Sequence, residues 1–173
     1  MKKILVVVDM QNDFIDGSLG TEEAQTIVDN VKNKIAEFEP ENVYVTMDTH
    51  EGDYMETREG TYLPVEHCIR GTKGWEVREE LAEALKGANI YEKPTFGSIR
   101  LMEDIRAISE KEEISVELVG LCTDICVVSN ALLLKAAMPE VDITVDSSCC
   151  AGVTPEKHEA ALETMRSCQI QVI

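Results

Sequence analysis

Short runs of apolar residues alternate along the chain with longer amphipathic stretches. Residues 4–9 form a continuous apolar run, mostly β-branched, that an aspartate ends. Such a run is typical of a strand that is buried on both faces of a parallel sheet. In the longer stretches apolar side chains recur at helical spacing. The alternation therefore predicts a sheet whose consecutive strands are joined by helices.

Six strands and five helices follow from this pattern. The predicted strands cover residues 4–9, 42–47, 89–91, 115–121, 141–145 and 170–173. The predicted helices cover residues 22–38, 75–85, 99–108, 124–138 and 155–168, the last with Thr154 as N-cap and Pro155 at its first position. We expect one domain over residues 1–173, an α/β fold with a doubly wound six-stranded parallel sheet and helices on both faces.

The composition limits the kind of partner. The chain is 44% hydrophobic over 173 residues, which allows a sizeable core. No apolar run approaches the ~18 residues that span a bilayer. The net charge of −17 argues against nucleic acids and anionic membranes, because both bind basic surfaces. Two lysines precede the first apolar run, but Asp9 ends it without a small-residue cleavage site, so we expect a cytoplasmic protein.

Six cysteines are spread along the chain, and no two have the Cys-x-x-Cys spacing of a zinc or redox site. Because the core is large and no export signal is present, we expect free thiols rather than disulfides. Most of these cysteines should be small core residues. They are Cys68, Cys122, Cys126, Cys149, Cys150 and Cys168.

Chemically capable side chains follow the carboxyl ends of the predicted strands. Asp9 ends the first strand, Asp48 and His50 follow the second, Lys93 follows the third, and Cys126 lies just past the fourth. Ligands of doubly wound sheets bind at this edge, so we expect these side chains to converge. Each also has an ordinary interpretation, such as a capping aspartate, a surface lysine or an inert core cysteine.

Cys126 is expected in the first turn of a helix. Unpaired amides and the positive end of the helix dipole would favour a thiolate there, and the same amides could hold an oxyanion. Asp9 could take the thiol proton, and Lys93 could stabilise negative charge beside both. A nucleophilic cysteine is therefore one hypothesis, and a buried structural cysteine is the other.

Asp48 and His50 form a second cluster. Residues two apart in an extended segment face the same side, so carboxylate and imidazole could bind one divalent metal, with His67 as a third ligand. Such ligands suit zinc, iron or manganese and leave positions open for water or substrate. A bare Asp-x-His pair is also common without a metal. His158 is expected to be solvated, on the outer face of the last helix.

Several motifs together resemble the nicotinamidase and isochorismatase-like cysteine hydrolases, from one end of the chain to the other. The similar segments are residues 9–14 (DMQNDF), 46–50 (TMDTH), 64–68 (PVEHC), 71–74 (GTKG), 120–127 (GLCTDICV) and 146–158. The resemblance implies an isochorismatase-like fold. It also implies a hydrolase that acts on the C–N bond of linear amides, and relatives that are usually dimers or larger assemblies.

The resemblance implies a catalytic triad of Asp9, Lys93 and Cys126. It also implies an oxyanion hole formed by the amides of Cys122 and Cys126, beside a cis peptide between Leu121 and Cys122. Cys126 would attack the carboxamide, Asp9 would relay a proton to the leaving ammonia, and water would then cleave the thioester.

A divalent metal ion is implied as well, with Asp48, His50 and His67 as ligands and zinc ahead of iron or manganese. The ion would hold the pyridine nitrogen of nicotinamide or pyrazinamide, and Phe14 would pack against the ring. This reaction would place the protein in NAD salvage, with a small-molecule amide as its partner. Isochorismatases typically lack the metal segment, so these ligands favour the nicotinamidase branch.

Three segments depart from the pattern of the family. Thr49 stands where relatives often have an aromatic residue, the segment 93–98 is short, and the stretch between His50 and His67 is compact. Because such segments line the pocket in relatives, two alternatives stay open. One is a related hydrolase that acts on another small amide or on an N-carbamoyl compound, and the other is a thiol-redox or non-catalytic protein on the same scaffold.

Overall fold

Six parallel strands form the central sheet of the computed structural model, which describes all 173 residues. The strands are β1 (Lys2–Val8), β2 (Val43–Asp48), β3 (Asn89–Lys93), β4 (Ile114–Leu121), β5 (Asp142–Ala151) and β6 (Gln171–Val172). They lie in the order β3-β2-β1-β4-β5-β6, and every neighbouring pair is parallel. The predicted doubly wound sheet is therefore confirmed.

Helices cover both faces of this sheet. They are α1 (Asn12–Ile15), α2 (Glu22–Thr26), α3 (Val28–Ile35), α4 (Arg58–Tyr62), α5 (Glu79–Ala82), α6 (Ile99–Ser109), α7 (Val128–Ala137) and α8 (Pro155–Ser167). A π-helical turn (Thr123–Val127) precedes α7, and the hydroxyl of Thr154 caps α8 as predicted. None of these helices combines the length and the apolar character that a bilayer crossing needs.

Alternate side chains of β1 enter two separate hydrophobic layers. Ile4, Val6 and Val8 pack with α6, α7 and α8, whereas Leu5 and Val7 pack with α2, α3 and α5. All five are completely buried. A strand that loses both faces to helices needs apolar residues at every position, which is why β1 is a continuous apolar run.

The helix predicted over residues 22–38 is interrupted. The chain forms α2 and α3 with a break at Ile27. The hydroxyl of Thr26 donates to the carbonyl of Glu23 at 2.7 Å, a side-chain bond that competes with the helical pattern of the backbone. Apolar periodicity did not reveal this local competition.

The helix predicted over residues 75–85 is reduced to α5. The preceding residues pair with the N-terminal segment instead, because Val77 forms an antiparallel bridge with Gln11 and the amide of Arg78 donates to the carbonyl of Met10 at 2.9 Å. Their backbone groups are thus used in a contact between residues far apart in sequence. Apolar spacing in this segment therefore led to a wrong prediction.

Strands β1 and β4 approach closely at their carboxyl ends. Gly120 has a φ of +119°, and a Cβ at this position would overlap the carbonyl oxygen of Val8. Only glycine combines that backbone conformation with the absence of a side chain. The close approach brings together the residues that follow the two strands.

A largely buried ion cluster joins α3 to the sheet. Lys34 Nζ lies 2.8 Å from Glu117 Oε1 and 3.1 Å from Asp146 Oδ2. The hydroxyl of Ser148 donates to Asp146 Oδ1 at 2.7 Å. Burial raises the pKa of Asp146, but the hydrogen bonds from Ser148 and Lys34 outweigh burial, so the pKa lies below its ordinary value.

We expect Asp146→Asn to lower the free energy of unfolding by about 1–2 kcal/mol at neutral pH. Since the pKa of Asp146 is lowered in the folded protein, its contribution is present above the unfolded pKa of about 3.9 and is lost as the pH falls through the folded pKa. Urea denaturation of both proteins across this range measures the difference. The exposed Asp142, changed to Asn, is the control, with an effect within about 0.5 kcal/mol. A difference that persists at low pH would contradict the prediction.

Candidate active site

Three buried side chains meet at the carboxyl edge of the sheet. Asp9 follows β1, Lys93 ends β3, and Cys126 lies in the π-helical turn after β4. Lys93 Nζ is 2.7 Å from Asp9 Oδ2 and 3.4 Å from Cys126 Sγ. None of the three is more than 5% exposed. A carboxylate, an ammonium group and a thiol therefore share one desolvated space, as the sequence predicted from their positions.

Asp9 is fixed by the neighbouring strand β2. Its φ of +48° lies in the left-handed region, and its amide donates to the carbonyl of Thr46 at 3.1 Å. The hydroxyl of Thr46 donates to Asp9 Oδ1 at 2.6 Å. Burial raises the pKa of Asp9, and the charge of Lys93 offsets only part of that rise. A carboxylate with a raised pKa is better suited to take and return a proton near neutral pH.

The pKa of the Cys126 thiol is shifted upward by its surroundings. Burial and the neighbouring Asp9 raise its pKa well above the ordinary value, and the charge of Lys93 does not compensate. The expectation that the helix start favours a thiolate stays a prediction, and burial acts against it. Burial lowers the pKa of Lys93, but Asp9 and Cys126 raise it by more, so this ammonium group remains charged.

The turn that carries Cys126 is π-helical, a form often found at functional sites. The amide of Val127 donates to the carbonyl of Cys122 at 3.1 Å, and the peptide between Leu121 and Cys122 is cis. The amide of Cys122 makes no hydrogen bond within the chain. The helix predicted over residues 124–138 thus begins as a wider turn, with a free amide beside the thiol.

The sequence predicted a solvated surface position for His158, and the structure contradicts this prediction. His158 Nδ1 lies 2.8 Å from the hydroxyl of Thr123, which is completely buried. Nearby, Asp124 Oδ1 accepts a hydrogen bond from the amide of Val153 at 2.9 Å. Both contacts join the π-helical turn that carries Cys126 to α8 and to the loop before it. The prediction failed because the first turn of α8 packs on the π-helical turn, which no helical wheel of α8 reveals.

Four side chains with metal-binding atoms form a second cluster next to the first. They are Asp48, His50, Glu59 and His67, and one ligand atom from each lies within 4.8 Å of the others. Asp48 Oδ2 is 3.0 Å from His50 Nε2 and 3.4 Å from His67 Nε2. Lys93 Nζ, 3.5 Å from Asp48 Oδ1, links this cluster to the thiol. The three ligands predicted from sequence are therefore brought together.

The donor set fits one divalent ion. Ligand atoms bound to a common zinc, each about 2.0–2.2 Å from the ion, are themselves roughly 3–4 Å apart, close to the spacing found here. His67 Nδ1 lies 2.8 Å from the carbonyl of Val65. A proton on Nδ1 would leave Nε2 free as a ligand atom, and such an outer hydrogen bond is typical of metal-binding histidines. Two imidazoles with carboxylates suit zinc, iron or manganese.

Glu59 is the residue of this cluster that sequence analysis missed. Its Oε1 lies 3.8 Å from His50 Nε2 and 3.7 Å from His67 Nε2. It belongs to the short helix α4, within a stretch that also contains several other acidic residues. No feature of the sequence distinguishes it from them, because its position follows from how the compact segment between the two histidines folds back.

Gln11 holds the backbone of Asp48 from both sides. Its Oε1 accepts from the amide of Asp48 at 2.7 Å, and its Nε2 donates to the carbonyl of Asp48 at 2.8 Å and to that of Trp75 at 2.9 Å. Gln11 is completely buried. The indole of Trp75 donates to the hydroxyl of Thr49 at 2.9 Å, which gives the unusual threonine of the Asp-x-His segment a polar partner.

A small cavity of about 40 Å³ connects the two clusters. Most of its wall is apolar, and the ring of Phe14 lies 5.6 Å from that of His67. In addition to the thiols of Cys122 and Cys126, the polar part of the wall consists of Asp48, Glu59 and His67, which belong to the second cluster (below, the metal-type cluster). The full lining is Phe14, Leu19, Asp48, Glu59, Leu63, His67, Phe96, Cys122, Ile125 and Cys126.

Comparison with protein families gives a match over almost the whole chain. The family model described as the isochorismatase domain matches residues 3–173. A Bacillus subtilis (strain 168) protein described as "uncharacterized isochorismatase family protein PncA" is 30% identical over 174 residues, which cover 94% of this chain and 93% of the relative.

Three solved structures have a similar fold. The crystal structure of nicotinamidase PncA from Bacillus subtilis aligns with a TM-score of 0.82 at 30% identity, over 99% of both chains. The pyrazinamidase of Pyrococcus horikoshii in complex with zinc aligns at 0.79 and 26% identity, over 100% of this chain and 99% of that one. The N-carbamoylsarcosine amidase of Thermoplasma acidophilum aligns at 0.77 and 28% identity, over 99% and 95%.

We expect Gln11→Leu to weaken zinc binding to the chelator-stripped protein by about 10–100-fold, because Asp48 loses the hydrogen bonds that fix its backbone. Isothermal titration calorimetry with zinc measures the dissociation constant. Asn12→Ala is the control, since the Asn12 side chain bonds only to the carbonyl of Lys73 at the surface. An unchanged zinc affinity in a folded Gln11→Leu protein would contradict the expected role of this clamp.

Proposed function

Because the chain belongs to the isochorismatase domain family, we propose that it is a metal-dependent cysteine amidohydrolase that converts nicotinamide, or pyrazinamide, to the acid and ammonia. The observation that carries the proposal is the position of Lys93, whose ammonium group contacts Asp9, Asp48 and Cys126 at once. Cys126 and three residues of the metal-type cluster therefore border one cavity, and Lys93 joins both to Asp9 behind its wall. The similarity to nicotinamidase and pyrazinamidase structures supports the same reaction.

Acylation begins at the protonated thiol of Cys126. As Sγ attacks the carboxamide carbon, its proton passes to Asp9, and Lys93 stabilises the charge on both partners. The carbonyl oxygen becomes an oxyanion, for which the amides of Cys122 and Cys126 are the donors. When the C–N bond breaks, Asp9 returns the proton to the departing nitrogen, which leaves as ammonia.

Deacylation uses the same groups in reverse. A water molecule gives a proton to Asp9 as its oxygen attacks the thioester carbon. The C–S bond then breaks, and the sulfur of Cys126 regains a proton from Asp9. One amide and one water thus yield one carboxylic acid and one ammonia, and the thiol is regenerated.

A divalent ion would be held by Asp48, His50 and His67, with Glu59 as a further ligand. When bound, the ion supplies a Lewis acid that can accept the lone pair of a ring nitrogen. Phe14 provides an apolar surface for the ring beside this cluster. We assign zinc to the site, with iron and manganese as alternatives, and the similarity to a zinc-bound pyrazinamidase supports the assignment.

An amidase that acts on N-carbamoyl compounds is the second candidate, supported by the similarity to N-carbamoylsarcosine amidase. The cavity lining argues against an anionic substrate of this kind. It contains no arginine or lysine, and Asp48 and Glu59 contribute negative charge. The carboxylate of a carbamoylated amino acid would have no cationic side chain to bind there except the triad residue Lys93, which already contacts two carboxylates.

The cellular setting is part of the same proposal. We assign residues 1–173 to a single cysteine hydrolase domain that works in the cytoplasm, in NAD salvage, as a homo-oligomer. The family match over residues 3–173 supports the single domain. Free cysteines throughout the chain agree with a reducing compartment.

Ammonia release from nicotinamide tests the proposal. The zinc-loaded wild type should turn over, and Cys126→Ala should reduce kcat by roughly 10⁴-fold or more, because the nucleophile is lost. The control is Cys150→Ala, a buried cysteine outside the cavity lining. Stripping the metal from the wild type and restoring zinc, iron or manganese tests the metal requirement. No turnover with any of the three metals would contradict the nicotinamidase assignment.

Substrate choice separates the two amidase candidates. We expect kcat/KM for nicotinamide to exceed that for N-carbamoylsarcosine by about 10²-fold or more, since only nicotinamide has a ring to pack on the apolar wall around Phe14. Mass spectrometry of the protein after turnover should find every thiol reduced. Preference for N-carbamoylsarcosine would support the second candidate, and a Cys122–Cys126 disulfide formed during turnover would support the thiol-redox alternative.

A further inference from the structure

A short segment, residues 94–98, forms one side of the cavity entrance, with residues 94–96 exposed and Ser98 buried. It connects Lys93, at the end of β3, to the start of α6. Within it, Phe96 lines the cavity and is still 44% exposed, so its ring lies between the cavity and solvent. We call residues 94–98 the entrance segment.

Two side chains bind the entrance segment: Lys93 Nζ donates to the carbonyl of Thr95 at 3.0 Å, and Asn130 binds the residues that follow. Asn130 lies in the first turn of α7 and is completely buried. Its Nδ2 donates to the carbonyl of Phe96 at 3.2 Å, and its Oδ1 accepts from the amide of Ser98 at 2.9 Å. The carboxamide thus binds the segment on both sides of Gly97.

The same carboxamide also binds the nucleophile. Asn130 Nδ2 donates to the carbonyl of Cys126 at 2.8 Å, one helical turn earlier. Both amide hydrogens and the oxygen therefore have partners, as a buried carboxamide requires. Asparagine is a poor helix former, so this residue is not explained by helix propensity. Its contacts instead link the nucleophile turn to the residue at the cavity entrance.

The size of the cavity gives this link a consequence. About 40 Å³ is far below the roughly 300–1,000 Å³ of typical small-molecule pockets, so a ring-bearing amide needs more space than this wall leaves. Phe14 is buried in the core, whereas Phe96 is the exposed aromatic residue of the lining. The entrance segment therefore carries the most exposed residue of this wall, and Asn130 binds it on both sides of Gly97.

We propose that Asn130 is a positioning residue that holds Phe96 over the cavity and couples it to the turn of Cys126, and that it thereby sets the size of the amide that reaches the thiol. The selectivity part rests on the proposed amidase function. The claim about access to the thiol is independent of that function, because a thiol reagent measures this access without any amide turnover.

Two substitutions separate this role from simple support of α6. Asn130→Ala removes all three hydrogen bonds. Asn130→Asp keeps an oxygen for the amide of Ser98, the N-cap of α6, but has no amide hydrogen to donate to Phe96 or Cys126. If Asn130 only supports α6, the aspartate variant should behave like the wild type. If it positions Phe96, both variants should behave alike.

Alkylation of Cys126 is the first measurement, with iodoacetamide as the small reagent and an N-aryl iodoacetamide as the bulky one. Peptide mass mapping separates Cys126 from Cys122. We expect the bulky-to-small rate ratio to rise by about tenfold in both Asn130 variants, the effect of losing one or two buried hydrogen bonds. A change in thiol reactivity alone would alter both rates equally and leave the ratio unchanged, which would overturn the proposal.

Phe96→Ala tests whether Asn130 acts through the entrance segment. It should raise the same ratio, and adding Asn130→Ala to it should raise the ratio no further. Asn30→Ala is the matched control, since that asparagine also binds a distant carbonyl, Ser148, but on the surface. Additive effects in the double variant, or an equal rise in Asn30→Ala, would overturn the proposal.

The second measurement is substrate selectivity in the zinc-loaded enzyme. We expect both Asn130 variants to shift kcat/KM from nicotinamide toward quinoline-3-carboxamide by about tenfold.

If both variants fail to fold, hydrogen exchange of the wild-type protein tests the proposal instead. The Ser98 amide should exchange at least about tenfold more slowly than the Gly97 amide. Equal exchange would overturn the proposal. Absence of amide turnover beside the expected alkylation ratios would refute only the proposed function.

Discussion

The charge of Lys93 at the carboxyl edge of the sheet is the interaction on which the site depends. Its side chain is 1% exposed and lies between Asp9, Asp48 and Cys126. A buried ammonium group is costly unless its partners surround it, and removing one partner of such a pair typically destabilises a protein by about 3–5 kcal/mol. The fold supplies these partners because β1, β2 and the turn after β4 all end at one edge.

Hydrogen bonds from buried polar side chains fix the geometry around this charge. Gln11 binds both backbone groups of Asp48, and Thr46 binds the carboxylate of Asp9. Asn130 does the same for the carbonyl of Cys126. None of these residues is a candidate for the chemistry itself, but each lies one contact away from a residue that is. Satisfied polar networks of this kind rigidify a site because every alternative leaves a buried group unpaired.

The two halves of the site have different electrostatic roles. Around Cys126, burial raises the pKa of the thiol and that of Asp9 above their ordinary values. Around Asp48, hydrogen bonds from His50 and His67 outweigh burial and hold the pKa of that carboxyl below its ordinary range. The pKa values of Asp9 and Asp48, which both contact Lys93, therefore shift in opposite directions, because their other neighbours differ.

The sequence by itself determined the six strands along the chain and the positions of Asp9, Asp48, Lys93 and Cys126 at their ends, because apolar periodicity and chain direction are local properties. It also determined the two histidines of the metal-type cluster through a motif. Tertiary structure alone decided the role of residues 75–78, the contact between His158 and Thr123, and the addition of Glu59 to the cluster. Asn130 belongs to the same group, since its three partners come from two separate segments. Such contacts join residues far apart in the chain, and their geometry depends on how whole elements pack, which no local pattern encodes.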